Sequence, residues 1–499
     1  MDFSVDNVVS LVAFLLFISI IAGKTGYRFG VPILVLFLGV GMIFGHDGFG
    51  LQFSSPDVAQ FVGVLALNTI LFSGGMDTKY LEIRPVLVQG IVLATLGVLL
   101  TAVLTGLFIY MLTQHVFTSI AFSILEALLL ASVMSSTDSA SVFAILGSKG
   151  ISLKQRLRPL LELESGSNDP MAYMLTITFI QWIQSSSNDA GFLVIASNFL
   201  LQLTVGSLLG YFLGRFAVRI INKLDLDNEA LYPVLMISVL FIIFSITNYL
   251  QGNGYLAVYI SGLVLGNSKF VHKKTVKKFM DGMTWLFQIV MFLTLGLLVN
   301  PSELLPIILI GLAISLFMIF FARPIAVWIC LIPFKRMTSA ARHYISWVGL
   351  RGAAPILFAT YPWTAGLEHA KEIFNIVFFV TLVSLIVQGT TVTKVAEWLH
   401  LLGEHIPKNK TKHFDPDFID DLNLKSTMSE ITISKEHLQR GNRIMDIPMP
   451  EKTLVVLVKR GEHYFVPTGA TELEPDDVML IISDNERSLK ETYAKLGIK

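Results

Sequence analysis

One cysteine in 499 residues, Cys330, leaves no partner for an intrachain disulfide and no basis for a thiolate metal site. It lies in an apolar run and reads as a packing residue. Charge is also scarce: Asp, Glu, Lys and Arg make up 15% of the chain, against about 25% in soluble domains. The two signs balance at 37 each, and no basic block offers a surface for nucleic acid. An acidic start, M-D-F-S-V-D-N, precedes the first apolar run and no A-x-A site follows it, so a cleaved signal peptide is not expected.

What is abundant is apolar surface, at 53% of residues with a mean hydropathy of +0.66. The charges are unevenly placed, 31 of the 74 falling in the last 99 residues. This shift divides the chain into a membrane domain at 1–400, a linker at 401–426 and a soluble domain at 427–499. Runs of roughly 17 or more apolar residues mark spanning helices. Thirteen are placed, at 6–23, 29–45, 58–75, 85–113, 119–147, 159–184, 191–221, 229–249, 254–267, 279–299, 304–332, 343–362 and 372–400. Alternate loops hold 19 basic residues, from Lys24 to Arg342, while the opposite loops hold only Lys371. The positive-inside rule then puts the N-terminus outside and the C-terminal domain in the cytoplasm of a cell with the chain in its inner membrane.

Two spans resist being continuous helices. The fifth carries M-S-S-T-D-S-A-S at 134–141 and the twelfth carries W-V-G-L-R-G-A-A-P at 347–355. Small polar residues, glycines and a proline at mid-span predict unwound backbone, which hydrocarbon tolerates only where it is buried or lines a cavity. The breaks lie seven spans apart, an odd offset, so the two segments cross in opposite senses, as inverted repeats require. Paired breaks of this kind point to a transporter's binding site.

The sixth span opens with L-E-L-E-S-G-S-N-D-P at 161–170. Helix rise from the nearest basic anchors puts Asp169 and Asp138 roughly 16 Å into the membrane and Arg351 roughly 14 Å in. Glu164 with Asn168, and Ser165 with Asp169, are i,i+4 pairs on one face. Pro170 cannot donate to the Gly166 carbonyl, which leaves that oxygen free. Glu162 lies shallower, at roughly 6 Å, and faces the entrance. Ionisable groups gathered at mid-membrane are costly and mark function. A carboxylate that cannot hold a proton and a cation together couples the two flows by competition.

The stretches S-S-T-D-S-A-S-V-F, L-E-S-G-S-N-D-P and V-G-L-R-G-A-A-P resemble the signature regions of the monovalent cation:proton antiporter-1 family. The resemblance implies a secondary antiporter, not an enzyme, that exchanges cytoplasmic K+ or Na+ for external protons by alternating access. It implies that Asp169 binds cation and proton in turn, and that Ser165 and the Thr137 carbonyl help hold the dehydrated ion. Asp138 would neutralise the half-helix ends, Asn168 would hold Asp138, and Glu164 would pair with Arg351. N-D in place of two aspartates favours an electroneutral one-for-one exchange. The family usually has proline after T-D; Ser139 here resembles the potassium/proton branch and leaves the ion open. A homodimer is implied as well.

Beyond residue 426, I-T-I-S, L-V-V-L-V-K-R, H-Y-F-V-P and V-M-L-I-I-S predict short strands, with helical stretches around 436–444 and 486–496. G-N-R-I-M-D-I-P-M-P-E-K-T-L-V-V-L-V-K-R-G and the later F-V-P-T-G-A-T-E-L-E-P-D-D-V-M-L-I-I resemble the C-terminal (TrkA-C-like) module of potassium-conductance regulators, with Asp476 and Asp477 where G-D is usual. No G-x-G-x-x-G loop precedes it, so no companion nucleotide-binding module is expected. A dimerising appendage and a sensor of a small cytoplasmic ligand, a nucleotide being the candidate, are both open. The fold class is thus an α-helical polytopic membrane protein of about 13 spans plus a small α+β domain. No resident cofactor is expected, and membrane lipids are expected as partners.

Two other classes can be set against this. An intramembrane aspartyl protease needs Y-D and G-x-G-D, and neither aspartate stands in such a motif. A cation channel would show a repeated pore loop, which is lacking. The run Lys273, Lys274, Lys277 and Lys278 reads as a topology and anionic-lipid signal. His46, His115 and His369 read as loop residues, and Arg323 as an arginine that snorkels or pairs.

Overall fold

The computed structural model describes residues 5–29, 32–148, 151–185, 192–224, 226–403, 427–433, 438, 441–446, 453–461 and 463–483. Each of the thirteen apolar runs folds as a helix or a string of short helices. The first four spans are α1 (Val5–Phe29), α2 (Ile33–Phe44), α3 (Pro56–Asp77) and α4 (Tyr80–His115). The broken fifth span is α5 (Ile124–Val133) followed by α6 (Ser139–Ser148). Continuous helices α7 (Leu157–Gln184), α8 (Phe192–Lys223), α9 (Leu231–Tyr249), α10 (Gly254–Gly266), α11 (Lys273–Leu298) and α12 (Pro301–Leu331) come next. The twelfth span breaks into α13 (Ser339–Trp347), α14 (Ala353–Phe358) and α15 (Thr360–Thr364), and α16 (Ala370–Trp398) completes the set. Seven of these helices are long and apolar enough to cross a membrane whole. Of the rest, α7 is long enough but carries Arg158, Glu162, Glu164 and Asp169, and most of the others are short or belong to the broken spans.

The seven-span offset recurs outside the breaks. α4 and α12 both start with a tight turn at a proline, over Arg84–Val86 and Leu305–Ile307. Both widen to a π turn at mid-length, over Leu93–Gly97 and Met318–Ala322. These two helices pack on each other across their π turns. α3 lies on α10 and α2 on α11, through glycines that let backbones touch. A Cβ at Gly262 or Gly266 would strike the carbonyls of Phe72 and Met76, and one at Gly41 would strike Leu293.

α11 begins six residues before its apolar run, because the Lys273–Lys278 stretch is amphipathic and continues the helix at its polar end. Past α16 the chain does not leave at once. The Lys154 N–H donates to the Leu401 carbonyl and the Gly403 N–H to the Ser152 carbonyl, both at 2.9 Å, so residues 401–403 lie as a strand against the loop joining α6 to α7. Contacts divide the chain after His405.

The second unit holds a four-stranded antiparallel sheet of β1 (Thr427–Thr432), β2 (Thr453–Arg460), β3 (His463–Phe465) and β4 (Val478–Ser483), in the order β1-β4-β2-β3. Gly461, at φ +60°, opens the β2–β3 turn. Ile431, Ile433, Val458, Met479 and Ile481 form its core. Arg460 clasps Asp477 with two nitrogens and Glu474 with a third, and these carboxylates raise the Arg460 pKa above the ordinary value. The helix expected at 486–496 and residues 436, 437, 439 and 440 of that expected at 436–444 lie outside the described residues; of the remainder, Arg443 bridges to Glu472 and Ile444 starts a short 3-10 turn rather than an α-helix.

Candidate functional site

The two breaks cross. Met134 and Ser135 turn out of α5, and residues 136–138 are non-helical until α6 starts; 348–352 are likewise non-helical between α13 and α14. At the crossing the Asp138 N–H donates to the Leu350 carbonyl at 2.6 Å. Four half-helix ends therefore meet inside the protein, two with exposed carbonyls and two with exposed N–H groups.

Two of these ends have an opposite charge against them. Arg351, 1% exposed, donates Nε to the Met134 carbonyl at 3.3 Å and Nη1 to the Gly349 carbonyl at 2.9 Å. Asp138 caps α6, accepting the Ser141 N–H at 3.1 Å and the Ser141 hydroxyl. α16 supports the second break: Ser384 Oγ accepts the Arg351 N–H, and Gln388 Nε2 donates to the Trp347 carbonyl. Gly352 has to be glycine, since a Cβ would lie 2.5 Å from Asp138 Oδ2.

α7 brings its polar face to the same place. Ser136 Oγ donates to Asp169 Oδ1 at 2.5 Å. One turn earlier, Ser165 Oγ donates to the Thr137 carbonyl at 3.0 Å and accepts the Ser139 N–H at 3.1 Å. Asp169, Ser165, Thr137 and Asp138 are thus brought together, with Arg351 behind them. Two expected contacts are different. Asn168 donates to Thr137, at 2.6 Å to Oγ1 and 3.3 Å to the carbonyl, rather than holding Asp138; Ser141 already satisfies that carboxylate. Glu164 pairs with Arg323, not Arg351. Arg351 is turned toward the carbonyl ends, while Arg323 leaves the π turn of α12 facing α7.

Sequence reasoning missed Ser136, Ser141 and this role of Arg323. Ser141 stands three residues after Asp138, the spacing of a cap. Arg323 lies twelve residues before Lys335, roughly 18 Å deep by helix rise, so the depth argument used for Asp169 would have found it. The Pro170 carbonyl accepts from Asn253 Nδ2 at 2.8 Å.

Two environments flank the crossing. Toward the loops bearing Lys79 and Lys273, a cavity of about 790 Å³ runs from Asp77 and Asp281 past Ser73 and Gln288 to Ala140 and Ser141. On the other side Tyr173, one turn beyond Asp169, packs at 4.8 Å on Tyr255 and 5.3 Å on Tyr361 between ring centres. The Tyr255 and Tyr361 hydroxyls are 3.1 Å apart.

Residues 12–398 match the family model described as sodium/hydrogen exchanger, transmembrane, and residues 428–497 match that of the TrkA-C domain. The chain is 37% identical over 490 residues to the K(+)/H(+) antiporter NhaP2 of Shewanella baltica, covering 98% of this chain and 82% of that one. It is 41% identical over 408 residues to the K(+)/H(+) antiporter NhaP of Alkalimonas amylolytica, covering 81% and 68%. In fold it is similar to the sodium proton antiporter MjNhaP1 from Methanocaldococcus jannaschii, with a TM-score of 0.66 at 20% identity over 78% of this chain and all of that one.

Proposed function

Because the chain belongs to the sodium/hydrogen exchanger family and is a multi-pass cation/proton antiporter, we propose that it exchanges cytoplasmic potassium for external protons, with Asp169 holding each in turn. The observation that carries this is the environment of Asp169 at the crossing. Arg351 and Asp138 are committed to the half-helix ends, and Glu164 to Arg323. Asp169 is left as the carboxylate that neither pairs with an arginine nor caps a half-helix, its hydrogen-bond partner being the Ser136 hydroxyl. It can then take a proton or a cation, one charge at a time, which makes the exchange electroneutral.

The neighbouring oxygens suit a hard monovalent cation. The Thr137 carbonyl and Ser165 Oγ lie one helical turn from Asp169, and Ser136 leaves the second carboxylate oxygen available. The cavity on the basic-loop side and the tyrosine cluster opposite support a state open to one face only. The excess of basic residues in the loops on the cavity side supports a cytoplasmic location for that face and for the C-terminal domain. The TrkA-C match supports a small cytoplasmic regulatory ligand, with a nucleotide as the candidate, and the family supports a homodimer.

Proteoliposomes with a proton-sensitive dye, challenged with K+ and Na+ in turn, test the reading. Asp169→Asn is expected to abolish cation-driven proton movement while the protein remains inserted and folded. Exchange at a near-normal rate in that variant would sink the assignment of Asp169; larger responses to Na+ in the native chain would sink that of potassium. Removing residues from 406 onward tests the tail, with the pH dependence of exchange expected to shift. Superimposable curves would reduce the tail to an assembly element.

A further inference from the structure

A second cavity, of about 350 Å³, lies away from the crossing between α12, α13 and α16. Its walls are Ile319, Phe320 and Pro324 of α12, Trp347 of α13, and Val395 and Trp398 of α16. Phe320 meets the Trp347 ring at 6.0 Å, and the Trp347 indole N–H donates to Thr391 Oγ1 at 3.1 Å, so this wall is built rather than loose. Beside it Phe321, Ile325 and Ile329 are 57%, 42% and 45% exposed. Apolar side chains so exposed on a multi-pass protein face lipid tails, so the groove opens to the bilayer.

One end of the groove is basic. Trp398 is 75% exposed where α16 ends, the position of an interfacial anchor. Lys394, one turn earlier, is exposed on the same side of the helix, whereas Glu397 is turned away from the groove-lining positions. From α13, His343 lines the groove and meets the Trp328 ring at 5.2 Å. Next to it the Arg342 guanidinium lies over the same indole at 5.3 Å and donates Nη2 to the Phe334 carbonyl, while its buried Nε has no protein partner in the structure. Lys335 and Arg336 are exposed in the adjoining loop.

We propose that this groove holds one acyl chain of a phospholipid whose anionic headgroup is bound by Arg342 and Lys394. An apolar slot facing hydrocarbon, closed at the membrane surface by basic donors, matches an anionic lipid of that leaflet and no soluble ligand. The lipid would touch Phe320 and Pro324, on either side of Arg323, and so would steady the π turn that presents Arg323 to Glu164. The inference rests on the membrane-spanning fold and is independent of which carboxylate carries the ion.

Full-length protein in neutral detergent, titrated with phosphatidylglycerol or phosphatidylcholine and weighed by native mass spectrometry, provides the test. The native chain is expected to retain one phosphatidylglycerol per protomer, about tenfold more readily than phosphatidylcholine. Val395→Trp, which fills the slot, is expected to lose retention of both lipids. Arg342→Gln with Lys394→Gln is expected to keep retention and lose the preference. Equal retention of the two lipids by the native chain overturns the proposal, as does native-like retention in Val395→Trp. Should Val395→Trp fail to fold, an unchanged preference in the glutamine pair overturns it alone. A Val395→Trp protein that keeps its lipid but changes its oligomeric mass would assign the groove to a second copy of the chain instead.

Discussion

Glu164 on α7 and Arg323 on α12 form an ion pair in which neither side chain is more than 2% exposed. It joins the helix that carries Asp169 to the helix that repeats α4 in inverted form. Removing one member of a buried pair strands the other charge, at about 3–5 kcal/mol. Glu164→Gln and Arg323→Gln are each expected to lower the thermal midpoint in detergent, with the double variant losing less than the sum. Glu164→Gln and Arg351→Gln are expected to be additive. Coupling of Glu164 to Arg351, and none to Arg323, would show that the pairing is misassigned.

The Ser136 hydroxyl donates to the Asp169 carboxylate and orients the group a cation would bind. A hydrogen bond to a charged group contributes about 1.5–3 kcal/mol, so Ser136→Ala is expected to weaken apparent cation affinity by roughly tenfold or more, with a smaller effect on maximal rate. Cation titrations of exchange in proteoliposomes at fixed pH check this. An unchanged half-saturation would place Ser136 outside the ion's environment.

Gly352 makes the sharpest steric demand at the crossing. Gly352→Ala places a methyl group 2.5 Å from Asp138 Oδ2, closer than any relaxed contact, so the breaks have to move apart. Exchange is expected to fall at least tenfold in protein that still inserts and purifies. Gly39→Ala, where a Cβ meets nothing within 4 Å, serves as the control and is expected to behave as native.

A pH effect is expected at the opposite end of the molecule. Asp47, after α2, accepts the Ser302 N–H at 2.7 Å at the start of α12, and lies 3.0 Å from the His46 ring. The Ser302 backbone hydrogen bond, with His46 second, lowers its pKa from 3.8 to about 2. A depressed carboxylate stabilises the fold above its unfolded value and ceases to do so as pH falls through the folded one. The contribution is therefore complete above about pH 4 and lost toward about pH 2. Asp47→Asn is expected to flatten the acid limb of the thermal midpoint in that window and to leave it unaltered at pH 7. An acid limb identical to the native one would show that the contact contributes nothing.

The sequence revealed the crossing better than it revealed the contacts there. Small polar residues, glycines and a proline in apolar runs announced both breaks, because such residues unwind a helix that apolar ones would continue. Helix rise put Asp138, Asp169 and Arg351 at one depth. Depth is one coordinate, however, and the choice between Arg323 and Arg351 for Glu164 depends on which helix faces α7, which a linear pattern does not encode. The same is true of Asn168, which reaches Thr137 because Ser141 is nearer to Asp138. The π turns of α4 and α12 leave no compositional trace, since their residues are as apolar as their neighbours. In the second unit, short apolar runs predicted β2 and β4 closely, but β1 starts at Thr427, four residues before I-T-I-S, because β4 offers it a full-length partner.

The two bonds between residues 152–154 and 401–403 have a mechanical consequence. The chain leading to the TrkA-C unit does not hang from the end of α16. It is first stitched to the loop joining α6 to α7, with Gly403 so close to Ser152 that a methyl group there would collide with its hydroxyl. A tug on the chain beyond Gly403 is thus delivered, like tension on a halyard, to the connector between α6, whose far end Asp138 caps, and α7, which carries Asp169.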